Sequence, residues 1–146
     1  MCAAVRRPRG RRLKVRGPPE GDGALVRVDG YGPTGFTISG RRHQGPVILR
    51  ANEVAAWAGF SESGLEEAAA RDLLAEFRPP GIVLVGTGQR GVVPGTSFLA
   101  WFRTRGFEPD LMATGAACRT WNVLAMEGRE VIAGLIPSGW APGQKT

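Results

Sequence analysis

Apolar positions along this chain change their spacing twice. Between Leu25 and Leu49 they come in short runs punctuated by turn residues. Leu25, Val26 and Val28 predict a first strand ending near Gly30, and Phe36 with Ile38, then Arg41 to His43, flank Ser39-Gly40 as the arms of a hairpin. Val47 to Leu49 follows Gly45-Pro46 as a further strand, and Trp57 lies in a less regular segment. From Ser63 the spacing becomes helical: Ser63-Gly64-Leu65-Glu66 is a capping-box pattern, Leu65, Ala69, Leu73 and Phe77 share one face, and Pro79-Pro80 stops the helix. Ile82 to Val85 is wholly aliphatic, as a strand covered on both faces should be, and is predicted to be the central strand. A helix from about Thr96 to Thr104 follows, with Phe98, Leu99, Trp101 and Phe102 in its apolar part and Gly106 as its C-terminal signal.

Asp110 to Pro137 then reads as strand, capped helix, strand. Leu111 to Ala113 is a short apolar run closed by Thr114-Gly115, and Thr114 is the expected N-cap of a helix beginning at Gly115 or Ala116. Ala117, Trp121 and Leu124 recur at helical spacing and should lie on a sheet. Gly128 ends the helix in the left-handed conformation, and Val131 to Ile136 resumes a buried strand. N-terminal strands followed by helix and strand in alternation predict an α/β (α+β) fold, a mixed sheet with helices layered on it.

Length and composition suit one domain: 146 residues, 42% hydrophobic, with no apolar run near the ~18 residues that span a bilayer. The net charge of +6 suggests a polyanion partner until it is located. Residues 1 to 19 hold seven basic groups and no acid, leaving twelve basic against thirteen acidic groups, a net of −1, for the rest. Prolines and glycines in that segment oppose ordered structure. The expected organisation is a disordered basic tail at 1–22, one globular domain at 23–140 and a short disordered tail at 141–146. The basic tail lacks the serines and amphipathic pattern of a transit peptide, which favours the bacterial cytoplasm over the mitochondrial matrix. Cys2 and Cys118 give neither a disulfide framework nor a metal spacing.

Two places carry candidate binding chemistry. Gly86-Thr87-Gly88-Gln89-Arg90-Gly91 matches GxGxxG directly after a strand, but Val92, Val93 and Pro94 separate it from the next helix. Asp110 precedes its strand, whereas a ribose-binding acid would end it. A tight glycine loop is therefore expected, not a dinucleotide site. The second place is the helix start at Thr114, Gly115, Cys118, Arg119 and Asn122, where free amides and the dipole attract anions. Parallel strands would bring it beside the Gly86 to Arg90 loop as one crevice. Cys118 at that position is a nucleophile only if its pKa is depressed and a base is near; the single histidine, His43, lies in the hairpin, so a structural thiol is expected. Glu66, Glu67, Asp72 and Glu76 read as a solvated helix face, and no metal or cofactor is expected.

Three separated motifs in order, YGxxGFxIxGxRHxGxV from Tyr31 to Val47, GTGxR at Gly86 to Arg90, and TGAACRTWNVLxxEGR from Thr114 to Arg129, resemble a small domain family of bacteria, archaea and mitochondria. That family includes the mitochondrial NADH dehydrogenase (complex I) assembly factor three and the adipogenesis-associated domain protein. The resemblance covers roughly Leu25 to Pro137. It departs at Ala113, where many relatives carry Asp, and at Val93, where an aromatic usually precedes the proline. The resemblance implies protein partners during assembly of a respiratory complex. With no nucleophile, base or metal cluster in the sequence, the expectation is a non-catalytic interaction module without specific nucleic-acid binding. The alternatives are a small-anion or nucleotide-phosphate binding protein, or an enzyme, using the Gly86 to Arg90 loop and the Thr114 helix start, and a weak RNA binder acting through the basic tail.

Overall fold

The computed structural model describes residues 26–50, 52–60, 64–74, 81–89 and 91–140. The expected tails, Leu25, the Ser63 cap, the helix end near Phe77, Glu76 and Arg90 lie outside the described residues.

β1 (Val28–Tyr31), β2 (Gly35–Ile38) and β3 (Arg41–Gln44) form an antiparallel three-stranded sheet in that order. Ser39 and Gly40 have φ of 49° and 82° between paired Ile38 and Arg41. Two successive positive φ values match the right-handed twist of a two-residue hairpin. The expected hairpin is thus present, and the first strand starts three residues later than expected.

A five-stranded mixed sheet holds the rest. Its order is β5 (Glu53–Ala56), β4 (Val47–Arg50), β8 (Val131–Ile136), β6 (Ile82–Thr87), β7 (Asp110–Met112). β6 runs parallel to β7 and β8, while β4 runs antiparallel to β5 and β8. The helices are α1 (Glu67–Leu74), α2 (Thr96–Arg103) and α3 (Thr114–Met126). The architecture is mixed α/β with helices packed on sheets, in two sheets where one was expected.

Period-two alternation sorts each strand's side chains onto two faces. Val47, Leu49, Leu84, Ala133 and Leu135 point to one face, where α3 and the three-stranded sheet cover them with Ala117, Trp121, Phe36 and Ile38. Ile48, Val83, Val85, Ile132 and Ile136 point to the other, under α1, α2 and the rings of Trp57, Phe60, Phe107 and Trp140. The molecule is therefore layered, with the large sheet in the middle.

Two expectations need correction here, and one strand was not expected at all. The central strand is β8, not β6: all six β8 residues are buried. An aliphatic run reports burial on both faces, not position in the sheet, and β8 hides its centrality behind Ala133 and Gly134. Gly134 is small because a Cβ there would sit 2.6 Å from the Trp57 ring. β5 escaped sequence reading because two of its four residues, Ala55 and Ala56, are exposed and carry no alternation. Asp72 is half-buried on α1 and accepts the Gly59 N–H at 2.9 Å, so it is a structural acceptor where a solvated carboxylate was expected.

Candidate functional site

The candidate site lies at the C-terminal ends of the parallel strands. Beyond β6 the chain turns through Gly88, whose φ of 81° is costly for a residue with a side chain. The turn is closed by the Val92 N–H donating to the Thr87 carbonyl at 2.8 Å and the Gln89 N–H to the Ser138 carbonyl at 3.1 Å. The Thr87 hydroxyl donates to the Met112 carbonyl at 3.1 Å, tying β6 to the end of β7.

Thr114 does not cap α3. Ala113 occupies the N-cap position without a side-chain bond, and Thr114 is the first helical residue, buried. Its hydroxyl donates to the Ile136 carbonyl at 2.5 Å and accepts the Gly88 N–H at 2.7 Å. Two strand ends present backbone groups that lack ladder partners, and an uncompensated buried amide or carbonyl costs more than a free helix amide at the surface. The hydroxyl is therefore taken by the strands, and one side chain joins β6, β8 and α3. Gly86 allows this closeness, since a Cβ there would stand 3.1 Å from the Ala117 Cβ and the Thr114 Cα.

Around this junction opens a cleft of about 290 Å³ lined by Tyr31, Gln89, Ala113, Thr114, Gly115, Ala116, Arg119 and Ser138. Of the ten expected site residues, Gln89, Thr114, Gly115 and Arg119 line it. Gly86, Thr87 and Gly88 are buried behind it and shape the wall. Arg90 lies outside the described residues. Cys118 and Asn122 serve the core instead. Asn122 accepts the Val28 N–H at 2.9 Å and donates to the Val28 carbonyl at 3.0 Å, so its amide stands in for a neighbouring strand along β1. Burial pushes the Cys118 thiol up to about 12, against a smaller opposing pull from Arg119. It is not an activated nucleophile.

Tyr31 and Ser138 escaped the sequence reading. Tyr31 reaches the cleft from the other sheet, and its hydroxyl rests where a Gly115 Cβ would be, so Gly115 is the residue that admits the ring. No local pattern announces that contact across more than eighty positions of sequence. His43 sits half-buried on β3 opposite Phe36, where burial, with a smaller effect from Arg41, holds its imidazole below the ordinary 6.5.

The glycine loop also fails as a dinucleotide fingerprint in three dimensions. α2 begins only at Thr96, five residues beyond Gly91, and Asp110 opens β7. The loop addresses the N-terminus of α3, not the helix that follows it. Among the described residues no three metal-ligating side chains gather, and no helix is long and apolar enough to cross a membrane.

Residues 28–136 match the model of a family described as a protein of unknown function (DUF498/DUF598). The chain belongs to this family. It is 37% identical over 113 residues to the rat NADH dehydrogenase [ubiquinone] 1 alpha subcomplex assembly factor 3, covering 77% of this chain and 60% of that protein. The chain thus spans about three fifths of the length of the assembly factors it matches. An uncharacterized protein of Rhodobacter capsulatus is 34% identical over 115 residues, covering 79% of this chain and 86% of its own length. A crystal structure of a Bordetella parapertussis protein superposes with a TM-score of 0.67 at 29% identity, covering 78% of this chain and 97% of that one. The family and fold implied by the three sequence motifs are those found.

Proposed function

We propose that this chain is a non-catalytic protein-interaction module that serves assembly of a respiratory NADH dehydrogenase. The observation that carries the reading is the 37% identity to the rat assembly factor across 113 residues, 77% of this chain. The chemistry of the cleft supports it. The buried Thr114 hydroxyl at its base is committed to two backbone groups, and the neighbouring thiol is held protonated by burial. What the cleft leaves exposed are groups suited to contact, Gln89, Arg119 and the edge of Tyr31. The similarity to the Rhodobacter protein, over most of that protein's length, fits a bacterial setting, for which we propose the cytoplasm, with the mitochondrial matrix as the alternative compartment.

Deleting the gene in its own host and measuring assembled, NADH-oxidising dehydrogenase by native electrophoresis tests this. Loss of the full-size complex, restored by the wild-type chain, is the expected result. Unchanged assembly in the deletion strain would overturn the reading.

One feature favours a second reading. The Gly115 and Ala116 amides open α3 beside Arg119, the arrangement that holds small anions at helix N-termini. Calorimetric titration with inorganic phosphate and with NAD decides it: saturable heat lost in Arg119→Ala would make the cleft a ligand site.

A further inference from the structure

The outer face of α3 carries a pattern that the core does not use and that the cleft meets only at its N-terminal end, at Ala116 and Arg119. Thr114, Ala117, Cys118, Trp121 and Ala125 are its buried positions, which leaves Ala116, Arg119, Val123, Met126 and Glu127 on the opposite side at helical spacing. Val123 is 53% exposed and Met126 80%, two of the five large hydrophobic side chains left exposed among the described residues, and the two share this helix. The flanking charges are ordered about Val123. Arg119 lies four residues before it and Glu127 four after, so the face is complementary to itself when turned end for end.

We propose that this face is the contact surface for a second copy of this chain, with two α3 helices crossing antiparallel on a two-fold axis at Val123. In that arrangement Arg119 of each copy meets Glu127 of the other, Val123 meets Val123, and Met126 lies over Thr120. A parallel crossing would set Arg119 against Arg119, so charge complementarity selects the antiparallel one. Both acidic and basic groups are available for it. The Arg119 side chain has no hydrogen bond or ion pair among the described residues, and the Glu127 carboxylate is held only by Arg129 at 3.8 Å with both side chains more than half exposed. An exposed pair of that kind is worth little and is readily exchanged. Self-association goes beyond the assembly reading and does not rest on it.

One helix face from each copy is small beside a standard interface, so the expected dissociation constant is on the order of 0.1 mM at low salt. Sedimentation velocity on the full chain at rising concentration reads it directly, and added salt should weaken the dimer. Arg119→Glu and Glu127→Arg should each weaken it about tenfold, because every reversal acts twice across the axis. The double variant R119E/E127R restores both pairs with their signs exchanged and should return to within about threefold of wild type. Val123→Asp should abolish association. A chain that stays monomeric throughout overturns the proposal, as does a dimer indifferent to both charge reversals or a double variant no better than the singles. The charge series decides even where V123D fails to fold, because Arg119 and Glu127 are both exposed, and circular dichroism confirms each variant.

Discussion

The two faces of the five-stranded sheet are closed by different means. On the α1 and α2 side the seal is aromatic volume: Trp57 and Phe60 stand 5.5 Å apart between ring centres, Phe60 and Trp140 5.0 Å, Phe98 and Phe102 5.0 Å. On the α3 side small residues let backbone approach backbone, Gly86 against Ala117, and side chains bond strand ends directly through Thr114, Thr87 and Asn122. Volume burial is non-directional and holds the fold wherever rings fit. Directed bonds fix the positions of particular loops. The cleft stands on the second kind of face, at the ends of parallel strands where such sheets commonly open a crevice.

The largest expected effect breaks the aromatic side. Trp57→Ala removes a buried ring and its hydrogen bond from Nε1 to the Ala69 carbonyl at 3.0 Å, and leaves the space above Gly134 empty. Unfolding in urea should show a loss of roughly 3–5 kcal/mol. Filling the space from the other direction, Gly134→Val forces atoms into the ring and should cost about 1–3 kcal/mol. A Trp57→Ala cost below that of the polar change described next would reverse the comparison.

On the α3 side the matching change is Thr114→Val, nearly the same shape without the hydroxyl. It strands the Gly88 N–H and the Ile136 carbonyl, at a cost of about 1–3 kcal/mol. Thr114→Ser keeps both bonds and should lose less than half as much. Equal losses for Val and Ser would mean that the junction is held by packing.

How much of this was legible in the sequence depended on how local its cause was. The Ser39-Gly40 hairpin, the α3 terminus at Gly128 with φ of 75°, and the α2 terminus at Gly106 with φ of 88° follow from a few adjacent residues, and all three were readable. The adjacency of the glycine loop and the α3 start was readable too, because parallel β6 and β7 must end on one side. The role of Thr114 was not. Its residue type and place fit an N-cap, but its partners, Gly88 and Ile136, are set by how three elements meet. The same holds for Asn122, whose partner Val28 lies 94 positions away, and for Tyr31 at the cleft. Residue type shows that a polar group needs a partner; topology decides which.

Cys118 gives a smaller, kinetic contrast between the faces. Burial both pushes its thiol up to about 12 and closes it off from reagents, so little of it is available as thiolate at pH 8. In a Cys2→Ser background, iodoacetamide at pH 8 should leave the folded chain unmodified over hours and label it in minutes in urea. Equal rates followed by mass spectrometry would show that the α3 side opens freely.

The smallest effect on stability should accompany the sharpest effect on function. Gln89 is exposed and engages the fold through its backbone N–H, so its side chain faces the cleft at little cost to the core. Gln89→Ala should shift the unfolding free energy by no more than about 0.5 kcal/mol, the usual range for surface changes away from caps and networks. Arg119→Ala should be as mild, but it alters both the cleft and the outer face of α3. Gln89→Ala touches the cleft alone and Glu127→Arg the outer face alone, so the pair separates the two surfaces. If the cleft is the contact used in assembly, Gln89→Ala fails to restore NADH dehydrogenase assembly in the deletion strain while Glu127→Arg restores it. The opposite outcome moves the functional contact to the helix face around Val123, and full restoration by both would remove it from this side of the molecule altogether.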